Sequence, residues 1–206
     1  MLSSSSLFTG ISHIIRPIRS KGNGNKICVL GRRVKSIIRV FGNNNEVMVG
    51  EDSLLRDSSI TIIGDNSSVI IGRNCKIFGP CSIVLGDNAS IRLGNNTNMR
   101  GVSINANNGV IQIGENCIFS YGIVIRNNDG HCVVSKDTEQ ILNSSEDVSI
   151  GNHVWVCQNA SIRKGVSIGD DSIIAFGSIV TNDCPSNAIM AGNPARVVKR
   201  GISWLK

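Results

Sequence analysis

Residues 150–180 read IGNHVWVCQNASIRKGVSIGDDSIIAFGSIV. An aliphatic residue returns at every sixth position: Ile150, Val156, Ile162, Ile168, Ile174 and Val180. Four residues after each of the first five stand Val154, Ala160, Val166, Ser172 and Ser178, all small or β-branched. A half-buried strand alternates with period 2 and an amphipathic helix with 3.6, so a strict period of six matches neither. It matches a short strand, a turn and another short strand, with the aliphatic side chain inward and the smaller one at the corner. Three hexads close a triangular coil of 18 residues, the spacing of Gly151 and Gly169.

Upstream the same logic runs at a longer period. An aliphatic or aromatic residue followed by glycine recurs at Phe41-Gly42, Ile63-Gly64 and Leu85-Gly86, and again at Val49-Gly50, Ile71-Gly72 and Leu93-Gly94. Each series has a period of 22, and the next turn shortens to 20 between Gly94 and Gly114. Fixed periods of this size mark a solenoid, in which each coil bonds only to its neighbours. Composition agrees: 41% of the residues are hydrophobic but only 4% aromatic, and a narrow axis filled by stacked Ile and Val has no room for repeated rings. Turns between flat walls call for tight corners and positive φ, which accounts for 22 glycines and many asparagines. Such asparagines are also placed to form side-chain ladders. A helical bundle, a two-layer sandwich, collagen and a disordered chain are all excluded by the same figures.

The net charge of +6 is uneven. Residues 1–45 hold eight Lys or Arg and no Asp or Glu, whereas the remainder holds 13 basic and 15 acidic residues. A basic end of this kind suits nucleic acid, an anionic membrane surface or a polyanionic substrate. Seven cysteines, an odd number with no CxxC pair, read as free thiols in a reducing compartment. No apolar run reaches the ~18 residues of a membrane span, and MLSSSSLFTGISHIIRPIRS carries its basic residues after the apolar ones, unlike a secretory signal. The expectation is a soluble cytoplasmic protein.

Two segments break the repeat. Residues 126–149, RNNDGHCVVSKDTEQILNSSEDVS, are too long for a corner and must loop out as an excursion, a kind of segment that is more often functional than decorative. The tail PSNAIMAGNPARVVKRGISWLK ends the strand pattern at Pro185 and Pro194. The expected organisation is a basic N-terminal segment (1–36), an all-β triangular solenoid (37–190) with the excursion at 126–149, and a short C-terminal tail (191–206).

The hexads, the excursion with NNDGH, the 150–183 run and the ending AGNPARVVK together resemble the hexapeptide-repeat acyltransferases, the left-handed parallel β-helix enzymes. The resemblance is specific over residues 113–202 and looser over the longer coils. NDGH, the downstream VW and AGNPARVVKRGISW are most similar to bacterial O-acetyltransferases acting on sialic-acid-containing capsular polysaccharide. The resemblance implies acetyl-CoA as donor, a homotrimer, and active sites between adjacent subunits.

His131 is the expected general base. It follows an Asp-Gly turn in the excursion, and an imidazole titrates near neutral pH; in the family the histidine of this loop has that role. Family members carry Pro after it where this chain has Cys132, a departure that bears on loop rigidity. Trp155 should face out of its coil as a ring for an acceptor sugar, and similar enzymes line the active site with it. His153 reads as a turn or subunit-interface residue. The resemblance further implies that Gly177, Ser178 and Thr181 lie along pantetheine, while Arg196 and Lys199 meet CoA phosphates, with Arg200 adjacent. A zinc site would need about three clustered histidines, and the chain has only His13, His131 and His153, so no metal is expected. Cys132 as an acyl-accepting nucleophile is disfavoured because neighbours on an extended chain point apart.

The sequence therefore points to an acetyl-CoA-dependent O-acetyltransferase acting on a cell-surface glycan, an acidic capsular polymer such as polysialic acid. The alternatives are transfer to a small sugar or nucleotide amino sugar, and a non-catalytic solenoid. Expected partners are the glycan and further copies of the chain, with peripheral attachment to a membrane or capsule machinery and no nucleic acid.

Overall fold

A computed structural model describes residues 18–205. The chain winds as a left-handed parallel β-helix with three walls. The first wall is a seven-stranded sheet running from Lys26–Val29 through Gly109–Ile113 to Ser167–Ile168. The second carries Asn98–Arg100, Ile118–Phe119, Trp155–Val156 and Ile173–Ile174. The third carries Ile37–Phe41, Val102–Ala106, Ile123–Arg126 and Ser161–Ile162. Two ten-residue strands, Leu54–Ile63 and Lys76–Leu85, bend from the second wall into the third and join them in one hydrogen-bonded sheet.

Register turns the repeat into columns. Ile38, Ile60, Ile83, Ile104, Ile125, Ile162 and Val180 follow one another down the third wall, all buried. The six hexad aliphatics and the five corner residues Val154, Ala160, Val166, Ser172 and Ser178 are likewise buried. Burying each aliphatic side chain contributes roughly 1.5–3 kcal/mol, which suffices because backbone hydrogen bonds are closed between coils. Glycine after the aliphatic is explained by close stacking: a Cβ on Gly50 would come within 2.7 Å of the Gly72 carbonyl carbon.

Polar ladders line the corners. Asn44, Asn66, Asn88 and Asn108 all adopt positive φ, and each amide of the first three donates to the next oxygen at 3.4 Å. At another corner Ser53, Cys75, Thr97 and Cys117 point inward, each donating to a glycine carbonyl one coil on, at 2.7, 3.2, 2.9 and 3.2 Å. Two cysteines thus stand in a hydroxyl column. Burial raises the thiol pKa of Cys75, Cys81, Cys157 and Cys184, and carries Cys117 to about 11. All described cysteines are free thiols, with Cys28 and Cys132 exposed.

The expected N-terminal boundary is corrected. Parallel pairing does not start at residue 37: Ile18–Lys21 pairs with Ile37–Phe41, Lys26–Val29 with Glu46–Val49, and Arg32–Val34 with Leu54–Arg56. Seven of the eight basic residues counted in 1–45 therefore sit on regular coils, and Arg16 lies outside the described residues, as does His13. At the other end Ala188–Gly192 continues the second wall and Ala195–Arg200 turns back antiparallel on it. No helix among the described residues is long and apolar enough to cross a membrane.

Candidate active site

The excursion leaves the third wall after Ile123–Arg126 and rejoins the first at Val148–Ile150, so it hangs from the corner between them. It folds on itself through an antiparallel bridge between Val134 and Ile141. Asn127 replaces a coil residue at its root, fully buried, its oxygen taking the Asn107 N–H at 2.9 Å. Asn128 then accepts the Gly130 N–H at 3.1 Å, closing the Asp-Gly turn that presents His131. The exposed His131 helps line a cleft of about 290 Å³, together with Asn107, Asn108, Asn128, Cys132, Asn143 and Ser144.

One asparagine holds this turn in place. The Asn143 amide donates to the His131 carbonyl at 2.8 Å and to Asp129 Oδ2 at 3.1 Å, while its oxygen accepts the Val133 N–H at 2.6 Å. Asp129 is tied in turn to Lys164 at 2.9 Å and Arg163 at 3.2 Å, both from the next coil. Lys164 also donates to the Ser144 carbonyl at 3.0 Å. The hydrogen bond from Lys164, helped by Asn143 and by the Arg163 charge, holds the Asp129 carboxyl below the usual carboxylate range. A loop with little apolar burial is thus fastened by polar links at its turn, which suits a side chain that must stay exposed yet oriented. Asp129 lies within the NNDGH motif; Asn143 carries no local signal, because its role depends on the return strand of the loop.

Trp155 does point outward, 37% exposed. Its neighbour in space is Trp204 of the tail, ring centroids 6.0 Å apart. Trp204 is itself buried, donates its indole N–H to the His153 carbonyl at 2.7 Å, and stacks on the His153 ring at 4.0 Å and 8°. His153 has φ +53° and holds Asp171 Oδ1 at 2.8 Å. His153 therefore serves a turn, as expected, and also docks the tail. In a chain with so few aromatics, the second tryptophan was the available signal for that latch.

The expected donor residues divide. Gly177 turns at φ +67° with open space where a Cβ would point, and Thr181, Arg196 and Lys199 are exposed. Asn182 ties two of them together, its oxygen accepting Thr181 Oγ1 at 3.3 Å and Arg196 Nη1 at 3.2 Å. Ser178 differs: it is fully buried, and its hydroxyl accepts the Gly192 N–H at 3.2 Å. A corner position buries whatever it carries, so this side chain fastens the tail rather than facing outward.

Thr181 follows the third-wall strand one coil after Arg163, whose N–H bonds the Val180 carbonyl at 3.0 Å. One edge of the prism thus carries the His131 loop, Arg163, Lys164, Thr181 and, through Asn182, Arg196. Trp155 belongs to the second wall and does not line the His131 cleft. Among the described residues no group of three or more His, Cys, Asp or Glu is placed to hold a metal.

The family model described as bacterial transferase hexapeptide (six repeats) matches residues 147–182. The structure of the polysialic acid O-acetyltransferase OatWY superposes with a TM-score of 0.89 at 30% identity, covering 93% of this chain and 92% of that one. The polySia-specific acetyltransferase NeuO gives 0.87 at 34% identity over 92% and 88%. A curated relative, the polysialic acid O-acetyltransferase of Escherichia coli O1:K1 / APEC, is 35% identical over 96 residues, which is 47% of this chain and 31% of that protein. That of Neisseria meningitidis is 31% identical over 128 residues, 62% and 60% of the two lengths. The chain thus spans less than two thirds of these curated relatives.

Proposed function

Because this chain belongs to the hexapeptide-repeat acyltransferases, the left-handed β-helix enzymes, we propose that it transfers acetyl from acetyl-CoA to a hydroxyl of an acidic capsular polysaccharide such as polysialic acid. The observation that carries this reading is the fastened His131 turn. The exposed His131 sits at the cleft on a turn whose main chain is held by Asn143, which Asp129 ties to Lys164 and Arg163. Likeness over more than nine tenths of the chain to two enzymes named for polysialic acid supports the acceptor class.

In this mechanism His131 takes the proton of the acceptor hydroxyl as its oxygen attacks the thioester carbonyl. Collapse of the tetrahedral adduct breaks the C–S bond, and the imidazolium returns the proton to the departing thiolate. His131 needs no covalent intermediate for this, and the Asn143 links hold the main chain of its turn in place. Thr181 and Arg196 hold CoA along the same edge, with Gly177 at the other end of the third-wall strand, and Arg196 and Lys199 meet its phosphates. Trp155, on another wall, meets the acceptor opposite His131 only if a second copy brings its wall to that edge, as in a homotrimer with sites between subunits. The reaction is placed in the cytoplasm, where acetyl-CoA is made.

The test is thiol release from acetyl-CoA with a panel of polysialic acid, neutral polysaccharide and small amino sugars, with the acetylated product identified by mass spectrometry. Release that depends on polysialic acid is expected. Release only with a small sugar overturns the acceptor class, and none with any acceptor overturns the enzymatic reading.

A further inference from the structure

Trp155 stands on a column that runs along the second wall and continues beyond it to Ile173 and Ile189. Paired positions place Arg32, Leu54, Lys76, Asn98, Ile118 and Trp155 one after another on its outer side. Beside Lys76 and Asn98, in the neighbouring outward column, Arg56, Phe78 and Arg100 are stacked in the same way. The Arg56 guanidinium lies 5.2 Å from the centre of the Phe78 ring and that of Arg100 5.8 Å, one from each adjoining coil. Arg56, Lys76 and Arg100 are exposed, and none of the ion pairs among the described residues involves them. A guanidinium over a ring keeps its N–H edge free, so each can still take a carboxylate with two parallel bonds. With about 4.8 Å per coil, Arg56 and Arg100 are about 10 Å apart, and Lys76 is about 14 Å from Trp155.

We infer that this stretch of the second wall is a binding track for an acidic polysaccharide, with Arg56, Lys76 and Arg100 meeting its carboxylates, Phe78 a sugar face, and Trp155 the end where the chain reaches the reactive site. The inference rests on the proposed acceptor class and says where a polymer is held beyond the unit that reacts. Charges repeated at coil spacing along a wall favour a long anionic chain over a single sugar, because only the long chain meets them together. Salt weakens such contacts more than it weakens those at a covered site.

The experiment compares the wild-type protein with Arg56→Gln/Arg100→Gln and with Phe78→Ala, using long polysialic acid and a sialic acid dimer as acceptors. Binding of the long polymer is measured separately, by affinity electrophoresis against neutral dextran. The double variant should raise KM for the long polymer at least tenfold, with the dimer and acetyl-CoA constants within twofold. Added salt should then cost the variant less than it costs the wild type. Arg56→Lys/Arg100→Lys should restore part of the loss, which a misfolded wall would not. Equal loss on dimer and polymer, or unchanged polymer binding, overturns the track. Wild-type protein that binds the polymer through these arginines but does not acetylate it overturns the acceptor reading and leaves the track standing. Protein that does neither overturns both.

Discussion

The coils before the excursion and those after it solve the same packing problem with different amounts of chain. Before it, 20–22 residues go round once, strands run to four, five or ten residues, and corners hold ladders of Asn, Ser, Thr and Cys. After it, 18 residues go round, the strands of these coils shrink to two or three residues, and the inward corner positions carry Val154, Ala160, Val166, Ser172 and Ser178. The long coils present wide walls with several outward positions each, enough for a basic and aromatic surface. The short coils leave fewer outward positions on each wall, among them Trp155 on the second wall and Thr181 just after the third. The excursion is inserted at the seam between the two coil lengths.

The largest effect is expected where the seam loop carries chemistry. His131→Ala should lower turnover by about 10²–10⁴-fold, the range of a lost general base, while acetyl-CoA binding measured by calorimetry stays within twofold. Comparable activity in that variant would move the chemistry away from the loop. Next comes the seam in the core, where Phe119 pairs Met99 of a long coil with Val156 of a short one and is fully buried. Phe119→Ala should cost about 3–5 kcal/mol by urea unfolding; a small loss would mean that the two coil types hold independently.

Asp129→Asn should lower kcat about tenfold with the acetyl-CoA KM unchanged, because it loosens the turn without touching a substrate. The pH dependence has a definite sign. A carboxyl depressed in the folded state gives its anchoring in full above its ordinary value and loses it as pH falls through the lowered one. Protease cleavage within 127–147 should therefore stay slow from neutral pH down to about 4 and speed up only below. Acceleration near pH 6 would point to a histidine instead. The smallest effect is expected in the long-coil corner: Cys75→Ser places a hydroxyl between those of Ser53 and Thr97 and should change stability by no more than about 1 kcal/mol.

Much of the fold was legible because a solenoid makes local spacing equal to spatial stacking. Ile150 to Val180 and the corner set from Val154 to Ser178 fall where a period of six puts them, and the asparagine ladders follow from the 22-residue period. The coils of residues 18–36 were missed because their charges masked the alternation: Lys26, Cys28 and Arg32 look outward while their neighbours pair. The exposed position of His131 on the excursion and the outward face of Trp155 follow from loop length and hexad spacing. Ser178 is legible as a corner, and its buried hydroxyl accepts the Gly192 N–H of the tail.

By itself the sequence determined the winding, the columns of the core and the place where the chain leaves them, since each depends on residues one period apart. Only the tertiary structure decided what lies beside what across coils of different origin. Asn143 under His131, Lys164 against Asp129 and Trp204 on His153 join positions whose separations follow no repeat. A repeat encodes what recurs, whereas a site is built where the recurrence is broken or where outward side chains of neighbouring coils meet, and those meetings exist only once the chain is wound.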